Sequence, residues 1–244
     1  MTACGKCYSC KKARCSDWYV RLIHEYKLTG KGLFVTLTYD DENLKDLNKR
    51  DLQLFFKRLR REFPGRRIKY FACGEYGERT LRPHYHMILY GLTLKDLECY
   101  LENGIYQSEY LKQIWPLGFN TIGHVSVKSI RYVVNYILKS YNVIKETGKK
   151  PIQLQSQGLG LGFVKDDIRL EEGYLIVDGK KRSIPRYYVK KLKYELPEYR
   201  SEREILNKTI KHAMIPKKPD DVVNFAPQRE RNIKAKTDLY AGVL

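Results

Sequence analysis

Two histidines, His84 and His86, occupy alternate positions in the stretch 83–91, which is otherwise mostly apolar and aromatic. Such a stretch is typical of a β-strand, and Pro83 fits its start because proline cannot donate to a sheet ladder. Successive side chains of a strand point to opposite faces, so residues two apart share a face. The pattern therefore predicts a strand that presents two imidazoles on one face, where both can bind one metal ion.

Glu75 is the candidate third metal ligand. It follows a predicted strand over residues 68–73, and residues 74–82 are predicted to loop back so that this strand lies beside the histidine strand. Two imidazoles and a carboxylate suit a divalent cation such as Mg²⁺ or Mn²⁺, and zinc accepts the same set. Open coordination positions would let the ion polarise a phosphate oxygen. The alternative is that both histidines are ordinary polar residues of a strand face.

A second segment supplies candidate nucleophiles. Residues 129–141 have apolar side chains at helical spacing, and at about 100° per residue Tyr132, Tyr136 and Lys139 share one narrow stripe. A neutral phenol is a poor nucleophile, but a nearby cation lowers the cost of forming the phenolate. Tyrosine attack on a phosphodiester would leave a covalent phosphotyrosine and a free hydroxyl. In a chain with 20 tyrosines these two can equally be packing residues, and only their combination with the histidine pair favours catalysis.

The charge of the chain favours a polyanionic partner. The 46 Lys and Arg residues exceed the 28 Asp and Glu residues, which gives a formal net charge of +18. Nucleic acid is the first expectation, and tyrosines among basic residues suit single strands, whose bases stack on aromatic rings. The alternative is a solvated basic face. The candidate DNA-contacting residues are Arg82, Lys180, Lys181, Arg182, Arg186, Tyr187, Tyr188, Lys190 and Lys191.

Four cysteines, Cys4, Cys7, Cys10 and Cys15, lie within the N-terminal segment. That count can close a structural zinc site, and reduced thiols without metal are the alternative. No apolar run approaches the roughly 18 residues that span a bilayer, and the N-terminus lacks the apolar core of a signal peptide. We therefore expect no membrane partner and a cytosolic setting, where thiols stay reduced.

The order of predicted elements indicates an α+β fold with a central antiparallel sheet of about five strands flanked by helices. Predicted helices cover residues 15–29, 49–63, 94–101 and 108–115, and a late hairpin is predicted from strands at 175–177 and 183–189. Three parts are expected: a Cys-rich head with a helix (1–30), a core (31–145) and a basic C-terminal extension (146–244), which packs on the core or contacts DNA.

Together these segments resemble the replication initiators of gokushovirus-type microviruses, which belong to the rolling-circle Rep enzymes of the HUH endonuclease superfamily. Residues 34–39 look like the first motif of that family, a strand that supports the site. Residues 82–86, Arg-Pro-His-Tyr-His, look like the metal-binding second motif, and residues 132–139 look like the third. Glu75 lies where related enzymes keep their third ligand, and the Cys-rich head is similar too.

The resemblance implies an HUH/Rep-like sheet and a metal-dependent nickase-ligase that cuts one DNA strand at the viral origin. Tyr136 would attack and form a 5′-phosphotyrosine with a free 3′-hydroxyl, Lys139 would support the developing charge, and Tyr132 would take a second transfer. The implied partners are single-stranded DNA, the origin of the double-stranded replicative form, and host helicase and polymerase in the bacterial cytoplasm. The rivals are a tyrosine transposase of the same superfamily and a non-catalytic, zinc-stabilised nucleic-acid-binding protein.

Overall fold

The computed structural model describes residues 4–5, 7–77, 81–147, 152–166 and 174–195. The chain divides into two compact units, one of residues 21–166 and one that joins residues 1–20 to residues 167–244. These units divide the chain at other places than the three predicted parts, which remain a prediction. Residues 196–244, the larger part of the predicted extension that follows the last helix, lie outside the described residues.

Helices and strands alternate along the described residues. In chain order they are α1 (Tyr8–Thr29), β1 (Leu33–Tyr39), α2 (Lys49–Glu62), β2 (Lys69–Tyr76), β3 (Pro83–Tyr90), β4 (Tyr100–Glu102), β5 (Ile105–Gln107), α3 (Glu109–Ile114), β6 (Gly118–His124), α4 (Val127–Thr147), β7 (Gln153–Gln155), α5 (Leu161–Asp166), β8 (Tyr174–Val177), β9 (Lys180–Ser183) and α6 (Arg186–Glu195).

The predicted α+β fold is confirmed, with a larger sheet than expected. Seven strands pair in the order β4-β5-β6-β1-β3-β2-β7, and all the paired strands are antiparallel. The additional strands β4, β5 and β7 have only three residues each, too few for alternation to be visible in the sequence. The helix predicted over 94–101 is wrong, because turns precede β4 there. The predicted α2 and α3 are present.

The two faces of the sheet are covered by different helices. On β1, the side chains of Leu33, Val35 and Leu37 point to the face that packs against α2, whose apolar stripe includes Phe55 and Phe56. This alternation leaves the other three side chains of β1, those between the core positions, on the opposite face. Helix α4 packs across β2 and β3 on that opposite face. That face carries the histidines, and it is called the site face below.

Polar contacts lock the start of α2 to the sheet. The hydroxyl of Tyr39 donates to Asp51 at 2.7 Å and lies 2.8 Å from the hydroxyl of Tyr85. The backbone N–H of Asn48 donates to the same Tyr85 hydroxyl, and the Asn48 side chain caps α2 by accepting from the N–H of Arg50. Buried hydroxyls that find partners cost little to bury. This end of the sheet therefore has a fixed geometry.

The second unit contains the start of α1, the β8–β9 hairpin and α6. Tyr19 donates a hydrogen bond to Asp178 in the hairpin turn, and the guanidinium of Arg182 lies 5.2 Å from the Tyr19 ring centroid. The hairpin is shorter than predicted, because Pro185 ends it and α6 begins at Arg186. No helix among the described residues has both the length and the apolar character needed to cross a membrane.

Candidate metal and nucleophile site

The strand register brings the three predicted ligands together on the site face. Glu75 on β2 pairs directly with His84 on β3, and His86 lies one strand repeat further on. The Nε2 atoms of His84 and His86 lie 3.4 and 3.3 Å from Oε2 of Glu75. All three ligand atoms are within 4.8 Å of one another, and we name Glu75, His84 and His86 the sheet cluster.

Hydrogen bonds on the far side of each ring orient the two imidazoles. Nδ1 of His84 lies 3.0 Å from the carbonyl oxygen of Arg82. A carbonyl only accepts, so Nδ1 carries the proton and the lone pair of Nε2 points towards Glu75. Nδ1 of His86 lies 2.9 Å from Oγ1 of Thr36, an arrangement that can fix the same tautomer. Such outer partners are what metal-binding histidines require.

The charge states also suit a cation. Burial lowers the pKa of His86, which keeps its ring neutral. Burial would raise the pKa of Glu75, but the polar groups of His84, His86 and Tyr136, and the charge of Lys139, outweigh it and hold that pKa well below the usual range. A neutral imidazole and an ionised carboxylate are the forms that bind metal. Nε2 of buried His86 has no hydrogen-bond partner among the described residues, an arrangement that a bound cation would satisfy.

Helix α4 places both candidate nucleophiles against this cluster. The Tyr136 ring stacks on the His86 ring, with centroids 5.1 Å apart and planes 7° from parallel. The Tyr132 ring meets His86 edge-on at 5.3 Å and Tyr136 edge-on at 5.0 Å. Nζ of Lys139 lies 3.7 Å from Oε1 of Glu75 and 5.2 Å from the Tyr136 ring centroid. Two histidines, a carboxylate, two phenols and an ammonium group therefore share one site.

The two tyrosines differ in exposure. Tyr132 is 43% exposed, whereas Tyr136 is 4% exposed and its hydroxyl has no partner at hydrogen-bonding geometry among the described residues. Burial, with the nearby Glu75 carboxylate and the Tyr132 hydroxyl, raises the pKa of Tyr136 far above its ordinary value. Lys139 alone therefore does not make Tyr136 a phenolate, contrary to the simplest interpretation of the sequence. A further positive charge beside Glu75 is required.

The predicted DNA-contacting residues have mixed surroundings. Arg82 donates from Nη1 to the carbonyl oxygen of Tyr39 at 2.7 Å and also pairs with Asp41, so it ties β3 to the end of β1. The others belong to the second unit, where Lys181 lies over the Tyr174 ring at 4.1 Å. Tyr188 is fully buried, which leaves no exposed ring face for a base. The exposed members at this end are Lys180, Lys181, Arg186, Lys190 and Lys191.

Three of the four N-terminal cysteines lie together. The sulfur atoms of Cys4, Cys7 and Cys10 are within 4.8 Å of one another, and we name these residues the thiol cluster. Cys4 and Cys10 sulfurs are 3.8 Å apart, and the N–H of Cys7 donates to the Cys4 sulfur at 3.3 Å. Cys15 is buried and not part of the cluster. Five helical residues after Cys10, it is rotated by about 140° to another face of α1.

The sequence did not single out two residues that support the site. Thr36 on β1 pairs with His86 and contacts its Nδ1, and the Phe34 ring stacks on the His86 ring at 5.7 Å. Alternation along residues 34–39 puts both side chains on one face, but only the pairing of β1 with β3 shows that this is the site face. A sequence signal therefore existed for their common face and not for their partner.

Known proteins resemble this chain over most of its length. Residues 32–141 match the family model of the replication-associated protein ORF2. Replication-associated protein ORF2 of Spiroplasma virus 4 is 34% identical over 79% of this chain and 68% of its own length. Replication-associated protein VP4 of Bdellovibrio phage phiMH2K is 29% identical, with 93% and 80% coverage.

A third relative, replication-associated protein ORF4 of Chlamydia phage 1, is 30% identical over 82% of this chain and 56% of its own length. No solved structure matches the chain. The α+β fold with its site-face cluster and these relatives together define the class: the chain belongs to the family of phage replication-associated proteins. The predicted resemblance to microvirus replication proteins is confirmed at that level.

Proposed function

We propose that this protein is a rolling-circle replication initiator that nicks one DNA strand at the phage origin and later rejoins it. The observation that carries the proposal is the convergence of the sheet cluster with Tyr132 and Tyr136, whose rings lie 5.3 and 5.1 Å from that of His86. The relatives are named for replication, and nicking through tyrosine is what this site adds to that name.

Glu75, His84 and His86 would hold a Mg²⁺ or Mn²⁺ ion. When bound, the ion supplies positive charge that polarises a non-bridging phosphate oxygen. The chain prepares this site by keeping His86 neutral, Glu75 ionised and both Nε2 atoms directed at Glu75. Because these groups are held by paired strands, little reorganisation accompanies binding.

Tyr136 is the proposed nucleophile for the first transfer. Its oxygen bonds to phosphorus, and the bond from phosphorus to the 3′ oxygen breaks. Overall, the proton lost from the phenol balances the proton gained by the new 3′-hydroxyl. Stacking on His86 holds the phenol in place, and Lys139, 3.7 Å from Glu75, supports negative charge on the phenolate or the phosphate. The energy of the broken bond stays in the phosphotyrosine, so rejoining needs no ATP.

Tyr132 is the proposed acceptor for the second transfer. It lies one helical turn before Tyr136 on α4, its ring touches both His86 and Tyr136, and it is far more exposed. An exposed phenol can reach a second strand while the first remains attached to the buried one. Two tyrosines on one site distinguish this proposal from a single-tyrosine transposase.

The proposed substrates are single-stranded DNA and the origin of the double-stranded replicative form, inside the bacterial host. The free 3′-hydroxyl would prime synthesis by host polymerase after unwinding by host helicase. The net charge of +18 supports binding of a polyanion. The exposed basic side chains of β9 and α6 are proposed phosphate contacts.

We further propose that the thiol cluster binds Zn²⁺. Tetrahedral zinc with Zn–S bonds of about 2.3 Å requires sulfur atoms about 3.8 Å apart. Cys4 and Cys10 already have that separation, 3.8 Å. Three thiolates leave the fourth position to water or another group. Zinc here would join the first turn of α1 to the residues before it.

A covalent-adduct assay tests the main proposal. The full-length protein is incubated with Mn²⁺ and a 3′-labelled single strand that contains the phage origin, then run on a denaturing gel. We expect a labelled protein band for the wild type, and none for Tyr136→Phe. Tyr132→Phe should cleave once but fail to complete strand transfer. Tyr100→Phe is the matched control, because this tyrosine is as exposed as Tyr132 and lies on another strand.

The absence of any labelled band with the wild type, despite binding of the same DNA, would favour the non-catalytic binding protein. Full strand transfer by Tyr132→Phe would instead favour single-tyrosine chemistry of the transposase type.

A further inference from the structure

Phe119 places an exposed aromatic ring in the same row of the site face as the sheet cluster. Thr38 on β1 pairs with Phe119 on one side and with His84 on the other, and His84 pairs with Glu75. Directly paired residues share a face, so the row runs Phe119, Thr38, His84, Glu75. Phe119 is thus two strand spacings, about 10 Å, from His84.

The site face is open between Phe119 and the sheet cluster. Helix α4 packs across β2 and β3, which are on the far side of β1 from Phe119. Thr38 and Thr121 are only half-buried, and a Cβ added at Gly123 would meet nothing within 4 Å. Phe119 itself is 58% exposed. A flat strip of hydroxyls and bare backbone therefore lies beside an uncovered ring.

The backbone on either side of this ring is firmly held. Gly118 has φ of +148°, and a Cβ there would lie 2.3 Å from the carbonyl oxygen of Thr38, so only glycine fits. On the other side, buried Asn120 exchanges hydrogen bonds with the backbone of Ser108 at 3.1 and 3.0 Å. Phe119 is therefore a rigidly mounted ring that remains in water, at a cost in hydrophobic free energy.

The chemistry of the strip suits a nucleobase. The row from Phe119 to Thr38 carries no charge, so it offers nothing to neutralise a phosphate. An aromatic face beside hydroxyl groups matches the flat, polar-edged base of a single strand, whereas the bases of a duplex are already stacked on one another. The row also continues directly into the site proposed for the scissile phosphate.

We propose that Phe119 stacks on a base of the single strand near the scissile phosphate and thereby positions that phosphate over the sheet cluster. This inference rests on the proposed function and adds a substrate-positioning residue and a requirement for single-stranded DNA at that point. Leu101 offers a matched control: it is 61% exposed, but its pairing through Tyr106 to core residue Ile122 places it on the opposite face.

The test is fluorescence anisotropy of a labelled mixed-sequence single strand in EDTA, where no cleavage occurs, with the full-length protein. Phe119→Ala should weaken binding by about 5- to 150-fold, the effect expected when one base–aromatic stack is lost. Phe119→Leu, which keeps an apolar side chain, should show the same loss, and Phe119→Trp should restore binding. The dependence on salt should not change, because no charge is removed. Duplex binding and Leu101→Ala should both match the wild type.

Equal single-strand affinity of wild type and Phe119→Ala would overturn the proposal, as would an equal loss of duplex binding or no binding by the wild type. The adduct assay separates this from the proposed function. A wild-type adduct with unchanged Phe119→Ala binding sinks the stacking role alone. A Phe119-dependent affinity without any adduct sinks the nickase alone.

Discussion

The sheet cluster and the thiol cluster are built in opposite ways. Glu75 and the two histidines come from neighbouring strands, and their partners Thr36, Tyr132 and Tyr136 come from β1 and α4, on either side of them in the sequence. The thiol cluster comes from a single short segment, Cys4 to Cys10, at the start of α1. One site depends on strand register and helix packing, and the other on local chain geometry.

This difference has a physical consequence. The ligands of the sheet cluster are positioned before any metal arrives, because the sheet around them is held by its own hydrogen bonds and core. Three thiols near a chain end have few such constraints, so there the metal would itself order the segment. A change in the sheet cluster should therefore affect chemistry with little effect on folding. A change in the thiol cluster should affect local order with no direct effect on chemistry.

The largest effect is expected for His86→Ala. Loss of a residue behind a metal ligand already lowers metal affinity or activity by about 10- to 100-fold, so loss of this ligand should reduce adduct formation by at least about 100-fold. The rate of adduct formation is the measurement, and thermal unfolding in EDTA should change little. His124→Ala is the control, since His124 is exposed at the end of β6. An unchanged rate would remove His86 from the metal site.

Gly118→Ala and Gly123→Ala test how firmly the site face is held. At Gly118 a Cβ would meet backbone atoms at 2.3 and 2.4 Å, and φ is +148°. We expect a loss of about 3 kcal/mol or more in the free energy of unfolding, from overpacking together with backbone strain. Gly123 faces open space on the same strand and should tolerate alanine at nearly no cost. Denaturant unfolding measures both, and equal losses would contradict the described packing.

Metal titration should separate the two clusters. At a Mn²⁺ concentration about 100-fold above its Kd, binding to the native state should add about 2.7 kcal/mol to its stability. Glu75→Gln should abolish this gain, and Cys7→Ser should not. Zinc bound per chain, measured by elemental mass spectrometry, should respond in the opposite way. Loss of both effects in either variant would show that the clusters are not independent.

The smallest effect concerns the reactivity of Cys99. Burial raises the pKa of its thiol to about 11, so at pH 8 it holds much less thiolate than a free cysteine. Allowing for the greater nucleophilicity of a more basic thiolate, alkylation should be about tenfold slower, and faster as pH rises towards 11. Peptide mass spectrometry follows each cysteine. Zinc should protect Cys4, Cys7 and Cys10 and leave Cys99 unchanged, and protection of Cys99 would place metal elsewhere.

Parts of this molecule could be predicted because their patterns are short-range. Alternation placed His84 and His86 on one face, and the structure shows them on one face of β3. Helical spacing placed Tyr132, Tyr136 and Lys139 on one stripe of α4, and all three face the sheet cluster. The apolar stripe of α2 was equally visible. Each of these depends only on the 2- or 3.6-residue period of the chain.

Other parts could not be predicted, because they depend on which segments pair. The short edge strands β4, β5 and β7 exist through their neighbours, and three residues carry no period of their own. The N-terminal half of α1 begins at Tyr8 although its sequence suggested only a Cys-rich head. That helix rotates Cys15 away from the other cysteines.

The sequence by itself determined the ligand types, the nucleophile stripe and the basic charge, since these follow from residue chemistry and local periodicity. Only the tertiary structure decided that Tyr136 is buried on His86 while Tyr132 stays exposed, and that Phe119 shares a row with His84. Both outcomes depend on the order and register of strands far apart in the chain. Shifting one strand by a single residue would turn its side chains to the other face.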